Sequence, residues 1–524
     1  MPRTRGGVLW RGLLAAVLVI ASVAATTAVA GLLQVKNLVN DLKLGGAIKG
    51  VQVTLPQPGQ PETLLLIGAD HRYGQAGGIG DTDTMLLVRL DDSSKTINML
   101  SVPRDLRVTL PGVGYAKLNA AYADGGPDLL LHTLQTQVFP GLHVNHIIVF
   151  SFTGFAKLVD AIGCVYTDVD HRYYNNTAQT DYSSIDIQPG YQKLCGNNGA
   201  PDSALAFVRF RHTDSDEVRN ARQQDFIRWA KDQYSTSQLV SERGRLLKIF
   251  GEYSQSDKSL QSVDGLLDLF NLALDADGLE LKTIQFPEAF GPCVAGQAEP
   301  CYVFPISQAL EQRAYTEFIT PTSSVPRVSL KGIATSKPKR RKHGKRRAAR
   351  TALAAGMIAD PSDGKSQASK LVDAGMPVFY PKDIPDDYSY CFSTTQNCIE
   401  SPNPPSEYDN SYPRAYKIDG PANRPYAAYV MTLVASSGNE TDLALGQYFT
   451  VQGTTWQDPP ILSKYTEVEH VDGKQLFLYS QGGLISTVAW HTKQGVYWIQ
   501  NNLQDLIPNA QMVATAASLT RATS

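Results

Sequence analysis

The run Thr63-Leu64-Leu65-Leu66-Ile67 carries no polar side chain after its first residue. Successive side chains of a strand point to opposite faces, so this strand needs apolar cover on both sides. It ends in Gly68-Ala69-Asp70-His71-Arg72. A glycine-rich loop follows over residues 74–80, and Asp81-Thr82-Asp83-Thr84 leads into a second apolar run, Met85-Leu86-Leu87-Val88. A short turn, Asp91-Asp92-Ser93-Ser94, joins it to a third run over residues 96–102, so these two strands read as a hairpin. The third stops at Pro103-Arg104-Asp105.

The pattern then alternates between strands and helices. Residues 118–122 read as a helical turn broken at Gly125-Gly126, and Pro127 opens a new helix that runs to residue 138, with proline at its first position. Residues 146–152 form an apolar strand, and residues 153–162 a helix stopped by Gly163. Residues 168–191 are a polar, aromatic-rich excursion bracketed by Cys164 and Cys195. Residues 204–211 read as a strand followed by a helix to residue 234, residues 246–275 as further helix, and residues 279–286 as a strand. This mixture predicts an α/β fold, a three-layer α/β/α domain over residues 61–320.

Residues 321–365 read as a linker. Lysines and arginines crowd residues 337–350 with almost no apolar residue, a composition that stays solvated. Residues 366–524 predict a smaller α+β domain. Strand-like runs at 475–479, 484–490 and 495–499 suit an antiparallel sheet, a helix is expected over 509–519, and binding or scaffolding is its expected role.

The stretch from Phe207 to Gln224 gathers charge. As a strand, it sets Arg209 and Arg211 on one face, where the two guanidinium groups repel unless an anion lies between them. In the helix that follows, Asp216, Arg219 and Gln223 share roughly one face, with Arg222 about 100° round from Gln223. Four arginines and an amide at a strand-to-helix junction suit a phosphate or diphosphate. An arginine network paired with Asp214, Asp216 and Glu217 is the competing reading. Asp70 and Asp83, at strand ends, have the hard oxygen donors that Mg²⁺ or Mn²⁺ takes. Arg72 and Arg104 add to the anion clamps.

Topology comes from the other end of the chain. Residues 8–33 form a nearly uncharged apolar run, roughly 25 residues and enough to span a bilayer. Arg3, Arg5 and Arg11 lie at its N-terminal end, which the positive-inside rule assigns to the cytoplasm. Residues 1–34 thus read as a cytoplasmic tip and an uncleaved signal anchor. The small residues Ala24, Ala28 and Ala30 keep a cleaved signal peptide as the alternative. Residues 35–60 read as a stalk, and everything beyond lies outside the cell membrane. The six cysteines agree with export. They fall into three local couples, Cys164 with Cys195, Cys293 with Cys301 and Cys391 with Cys398, and nearest-neighbour disulfides are the simplest of several connectivities. Net charge is only −2, so the basic run, not the whole chain, points to a partner. Outside a membrane that partner is an anionic wall polymer or lipid headgroup. No helix-turn-helix is evident, and nucleic acid is not an expected partner.

These segments resemble the LytR–CpsA–Psr family of envelope phosphotransferases. The resemblance rests on the stretches around Asp70, Asp83 and Arg104, on Lys117-Leu118-Asn119-Ala120-Ala121-Tyr122, on the Gly125-Gly126-Pro127 helix start, and on the R-F-R and R-x-x-R-Q patterns of the arginine stretch. They recur in the family's order over about residues 60–235. The resemblance implies a mixed central sheet and transfer of a glycopolymer from a polyprenyl (undecaprenyl) pyrophosphate carrier onto peptidoglycan, leaving a phosphodiester. It implies Mg²⁺ on Asp70 and Asp83, a diphosphate gripped by Arg104, Arg209, Arg211, Arg222 and Gln223, and Arg72 and Arg219 as helpers. One position departs from the pattern: many relatives carry arginine where this chain has Asp81. The resemblance does not reach the basic linker or residues 366–524. A non-catalytic scaffold for polyprenyl-phosphate lipid or wall polymer, and a pyrophosphatase releasing the polymer to water, remain the other readings.

Overall fold

The computed structural model describes residues 47–522 apart from residues 58, 70–81, 176–183, 197–199, 201, 211–213, 276–278, 292–300, 321–353, 392–411 and 436–447. In chain order the first part holds β1 (Glu62–Ala69), β2 (Thr82–Asp91), β3 (Thr96–Ser101), α1 (Leu118–Thr133), β4 (His146–Ser151), α2 (Phe152–Ala161), β5 (Val165–Val169), β6 (Gly190–Leu194), α3 (Ala204–Arg209), α4 (Asp216–Gln233), α5 (Thr236–Tyr253), β7 (Ser254–Ser256), α6 (Val263–Asp275), β8 (Glu280–Ile284) and α7 (Gln308–Ile319). Six of the strands form one sheet in the order β7-β4-β1-β2-β3-β8. It is mixed: β1 and β4 run parallel, as do β3 and β8, while β2 is antiparallel to both its neighbours.

The doubly apolar β1 explains the layers. Leu65 and Ile67 face a core shared with Met85, Leu87, Leu100, Ile147 and Val149, closed by Leu130 of α1 and Phe318 of α7. Leu64, with Leu86, Met99 and Ile148, faces the opposite side, against which Ile227 of α4, Phe250 of α5 and Leu269 of α6 pack. The result is the expected three-layer α/β/α arrangement. The glycine–proline break also appears where the sequence put it. Gly126 adopts φ 65° and ψ −160°, a conformation open to glycine alone, and Pro127 restarts the helix.

Several expectations need correction. Residues 204–210 do not form the expected strand. Ala204–Arg209 is a short helix, capped by the Ser203 hydroxyl accepting from the Ala206 N–H at 3.1 Å, and it buries Ala204, Phe207 and Val208 at helical spacing. A short apolar run fits either period, and here the cap decides. The helix expected over 246–275 is two, α5 and α6, separated by the edge strand β7. The described part of the stalk lies along the core. Ile48 is buried in it, its N–H donates to the Ser256 carbonyl at 3.0 Å, and Thr54 donates to Val144 at 2.8 Å.

The second part comprises α8 (Pro361–Ser369), β9 (Tyr388–Tyr390), β10 (Arg414–Asp419), β11 (Pro425–Ala435), β12 (Tyr448–Thr454), β13 (Glu467–Val471), β14 (Lys474–Gln481), β15 (Leu484–Thr492), β16 (Gly495–Gln500) and α9 (Asn509–Ser518). Its antiparallel sheet runs β9-β11-β12-β16-β15-β14-β13, with β10 also on β11. One face packs Met512, Val513 and Ala516 of α9. The other receives Tyr166 and Tyr191 of the β5–β6 hairpin, which join Ile418, Trp456 and Trp498 in one core.

That hairpin is stapled by the Cys164–Cys195 disulfide, as its spacing led us to expect. Its Asp168 carboxylate accepts from Trp498 Nε1 at 2.9 Å and from the Gln452 amide, and burial pushes its pKa up to about 7 against those hydrogen bonds. Cys301 and Cys391 are disulfide-bonded too, and Cys293 and Cys398 lie outside the described residues. Among the described residues no helix is long and apolar enough to cross a membrane. The apolar run of residues 8–33 and the basic run of 337–350 lie outside them.

Candidate active site

Because β1, β3 and β4 point the same way, their C-terminal ends meet the start of β2 at one edge of the sheet. Ligands of α/β sheets sit at such carboxyl edges. Asp83 opens β2 and Arg104 follows β3. Asp83 Oδ1 pairs with Arg104 Nη1, and its Oδ2 lies 3.9 Å from Arg209 Nη2. Arg209 ends α3 and stacks its guanidinium 4.1 Å over the Phe152 ring at the end of β4. The first turn of α4 closes the other side. Ser215 caps it, and the buried Asp216 carboxylate stands 3.5 Å from Arg104 Nε and 3.2 Å from Arg219 Nη2. Asp105 lies 2.9 Å from Lys117 Nζ and 3.9 Å from Arg104 Nε.

Four cations, Arg104, Lys117, Arg209 and Arg219, thus meet three carboxylates, Asp83, Asp105 and Asp216, among the described residues. Arg104 and Asp83 remain about one-fifth to one-quarter exposed, whereas Arg219 is buried and its pKa is lowered by that burial despite Asp216. The Nε atoms of Arg104 and Arg219 are buried without a hydrogen-bond partner among the described residues. Buried donors of this kind are satisfied by an anion's oxygens.

Gln223 shares the Arg219 face of α4. Its amide donates to Thr84 Oγ1 at 3.1 Å and to the Val208 carbonyl at 3.0 Å, tying the start of β2 to α3. Arg222 does not join them. It is fully buried, paired with Asp214, and donates to the carbonyls of Phe207 at 3.2 Å and Phe210 at 2.9 Å, with Tyr173 under its plane at 4.5 Å. It lies at the end of α3, in the core and away from Arg104 and Asp83, whereas the sequence sets it among the anion clamps. Asp70, Arg72, Asp81 and Arg211 lie outside the described residues.

Asp105 and Lys117 sit inside the sequence motifs without a role there, and Asp216 shares the Arg219 face of α4 without its Arg104 partner being visible in sequence. Pairings between separate elements leave no local signal. Behind Arg219, Glu217 and Glu288 line a small cavity with Ser101 and Gln224. Burial first, then the neighbouring Glu217, pushes the Glu288 carboxyl up to about 8.

The metal question rests on Asp83. It offers hard carboxylate oxygens at the open edge, a donor type that suits Mg²⁺, and Asp70 is one residue beyond β1 in sequence. The other grouped candidate ligands among the described residues are Asp160, Cys164 and Cys195. The two cysteines are joined in a disulfide, which removes their thiolates as ligands.

Comparison with known proteins now bears on this edge. The model of the LytR_cpsA_psr family matches residues 32–315, more than half of the chain. The chain belongs to this family. The polyisoprenyl-teichoic acid–peptidoglycan teichoic acid transferase TagU of Oceanobacillus iheyensis is 32% identical over 212 residues, 39% of this chain and 61% of that protein. The corresponding transferase TagT of Bacillus subtilis is 26% identical over 264 residues, 47% of this chain and 80% of that protein. The crystal structure of B. subtilis TagT covers 51% of this chain and 93% of its own, with 24% identity and a TM-score of 0.37. The chain spans 54%, 61% and 64% of the length of three of the curated relatives it matches. Every strand and helix of the site falls inside the family match, and residues 316–524 fall beyond it.

Proposed function

We propose that this protein is a membrane-anchored, extracytoplasmic phosphotransferase that moves a glycopolymer from a polyprenyl pyrophosphate carrier onto peptidoglycan. The observation that carries the reading is the convergence of Arg104, Arg209, Arg219 and Lys117 at the carboxyl edge of the sheet. The names of the family relatives, polyisoprenyl-teichoic acid–peptidoglycan transferases, support the donor and acceptor classes.

The chemistry is an in-line displacement at phosphorus. A sugar hydroxyl of the acceptor attacks the phosphorus that bears the glycopolymer and loses its proton to solvent. The new P–O bond makes the phosphodiester, the P–O–P bond breaks, and polyprenyl monophosphate leaves with the electron pair. The protein's part is to position the diphosphate and to neutralise its charge. Arg104 and Arg209 reach the open side and bind its oxygens with Lys117 beside them, while Arg219 supplies positive charge from beneath. Gln223 and Arg222 hold α3 and the start of β2 in register. Arg72 and Arg211 are assigned to the same clamp by their motifs. Asp83, with Asp70, would hold Mg²⁺, which supplies further charge neutralisation when bound. Residues 1–34 anchor the chain, and the basic residues of 337–350 lie against anionic wall polymer or lipid headgroups.

The test is transfer from a lipid-linked glycopolymer to peptidoglycan by the full chain, with product analysis. The proposal expects polymer covalently joined to peptidoglycan, and loss of turnover in Asp83→Ala with its thermal unfolding retained. Polymer merely freed to water identifies a pyrophosphatase. Lipid binding without turnover identifies a scaffold. Calorimetric titration of Mg²⁺ in the presence of a polyprenyl pyrophosphate, with and without Asp83→Ala, tests the metal ligand independently of activity.

A further inference from the structure

The second half of α4, the start of β8, the segment of residues 461–466 and the strands β14 and β15 line a cleft of about 350 Å³. That volume falls among small-ligand sites, roughly 300–1,000 Å³, and pockets concentrate at junctions of this kind. It lies at the other end of the sheet from Arg104, because β8 enters beside Thr96 and leaves beside Leu100. The site described above does not use it.

Its walls define what fits. Trp229 and Tyr479 give a buried aromatic base, while Tyr465 stands 53% exposed, held edge-on against Phe477 at 5.2 Å. Thr466 and Ser480 bring hydroxyls that hydrogen-bond each other at 2.8 Å and keep acceptor lone pairs, Thr487 donates its hydroxyl to Gln500 at 2.6 Å, and the Gln481 amide oxygen accepts from Arg228, which leaves its NH₂ as a donor. The formal charges offset one another. Arg228 is occupied by Asp225 at 2.6 Å and by Ser486 Oγ at 3.1 Å, and Lys231 and Lys464 share the lining with Asp232 and Glu280. Arg228, Lys231 and Lys464 stand among Asp225, Asp232 and Glu280, a near-neutral wall that does not favour a second diphosphate and is too polar for a prenyl chain. A half-exposed aromatic ring among hydroxyls and an amide matches a pyranose ring, whose apolar face stacks while its rim hydrogen-bonds.

We infer that this cleft is a carbohydrate-binding site for a glycan strand. Trp229 lies six to ten residues along α4 from Gln223 and Arg219, about 9–15 Å by helix rise. A few sugar units cover that distance, so a strand held here is kept at high local concentration near the diphosphate. The choice of a wall glycan rests on the transferase reading. The stacking chemistry of the cleft does not.

The experiment is calorimetric titration of the full-length protein with a β-1,4-linked N-acetylglucosamine tetramer, alongside a separate titration with a polyprenyl pyrophosphate. We expect saturable tetramer binding that Tyr465→Ala weakens by about tenfold and Tyr465→Phe preserves, with lipid binding unchanged in both. The exposed position of Tyr465 leaves the fold intact in either variant. Absence of saturable tetramer binding by the wild type, or equal binding by Tyr465→Ala, overturns the inference. Tetramer binding in a protein whose lipid affinity ignores Arg104→Ala leaves the cleft standing and removes the diphosphate site instead.

Discussion

Asp216 is shared between two guanidinium groups, and Arg222 is spent on backbone carbonyls. The two cases set Arg219 among the charges of the sheet edge and Arg222 in the core beside α3. Asp214 is the carboxylate paired directly with Arg222, with Asp170 acting on it from further off, and both side chains of the pair are buried. Removing it strands a charge in the core. Asp214→Ala should therefore destabilise the protein by about 3–5 kcal/mol in chemical unfolding. Glu288 makes a prediction about pH. Its carboxyl is raised from an ordinary 4.5 to about 8, so the folded protein holds a proton there that the unfolded chain releases. Its contribution to stability is complete below pH 4.5 and is lost as pH rises through about 8. Glu288→Gln should flatten the fall in unfolding midpoint across that window.

At the scale of elements, the kink in α1 shows what local chemistry can announce. Gly125-Gly126-Pro127 reads as a break in the sequence, and Gly126 makes it with a positive φ. Gly126→Ala should cost about 1–3 kcal/mol, measured by urea unfolding, because a Cβ is strained there. The sheet strands were equally legible, since β1 to β3 are apolar runs separated by turn residues. The helix α3 was not. Residues 204–208 are apolar with no period to read, and the Ser203 cap that sets the helix looks like any loop serine. The site was half legible for a related reason. Motif spacing names Asp83, Arg104, Arg209, Arg219 and Gln223, which the fold does bring to one edge. It does not tell which side of α4 faces that edge, and Arg222 lies on the side that packs against α3 and Tyr173. Asp105, Asp216 and Lys117 acquire meaning only through partners on other elements.

For the whole molecule, the unexpected feature is how the C-terminal sheet meets the rest. The ends of the polar, aromatic-rich excursion enter the second core, through Tyr166 and Tyr191 packed in it and Asp168 hydrogen-bonded to Trp498. Helix α4 is engaged as well, through Arg228 and Ser486. The helix that carries Arg219 is thus buttressed from outside the family match. Two parts joined through a common core should unfold together. Tryptophan fluorescence, reporting Trp498 among others, and far-ultraviolet circular dichroism should give one coincident transition. Two separated transitions would show that the sheet is an independent appendage.

The account depends on the cationic edge binding a diphosphate, and direct titration of the full-length protein with a polyprenyl pyrophosphate in detergent measures this. The prediction is saturable binding that Arg104→Ala and Arg209→Ala each weaken by at least about tenfold, the loss of one charge-assisted contact. Affinity that is undiminished in both variants, with their unfolding midpoints intact, would contradict it.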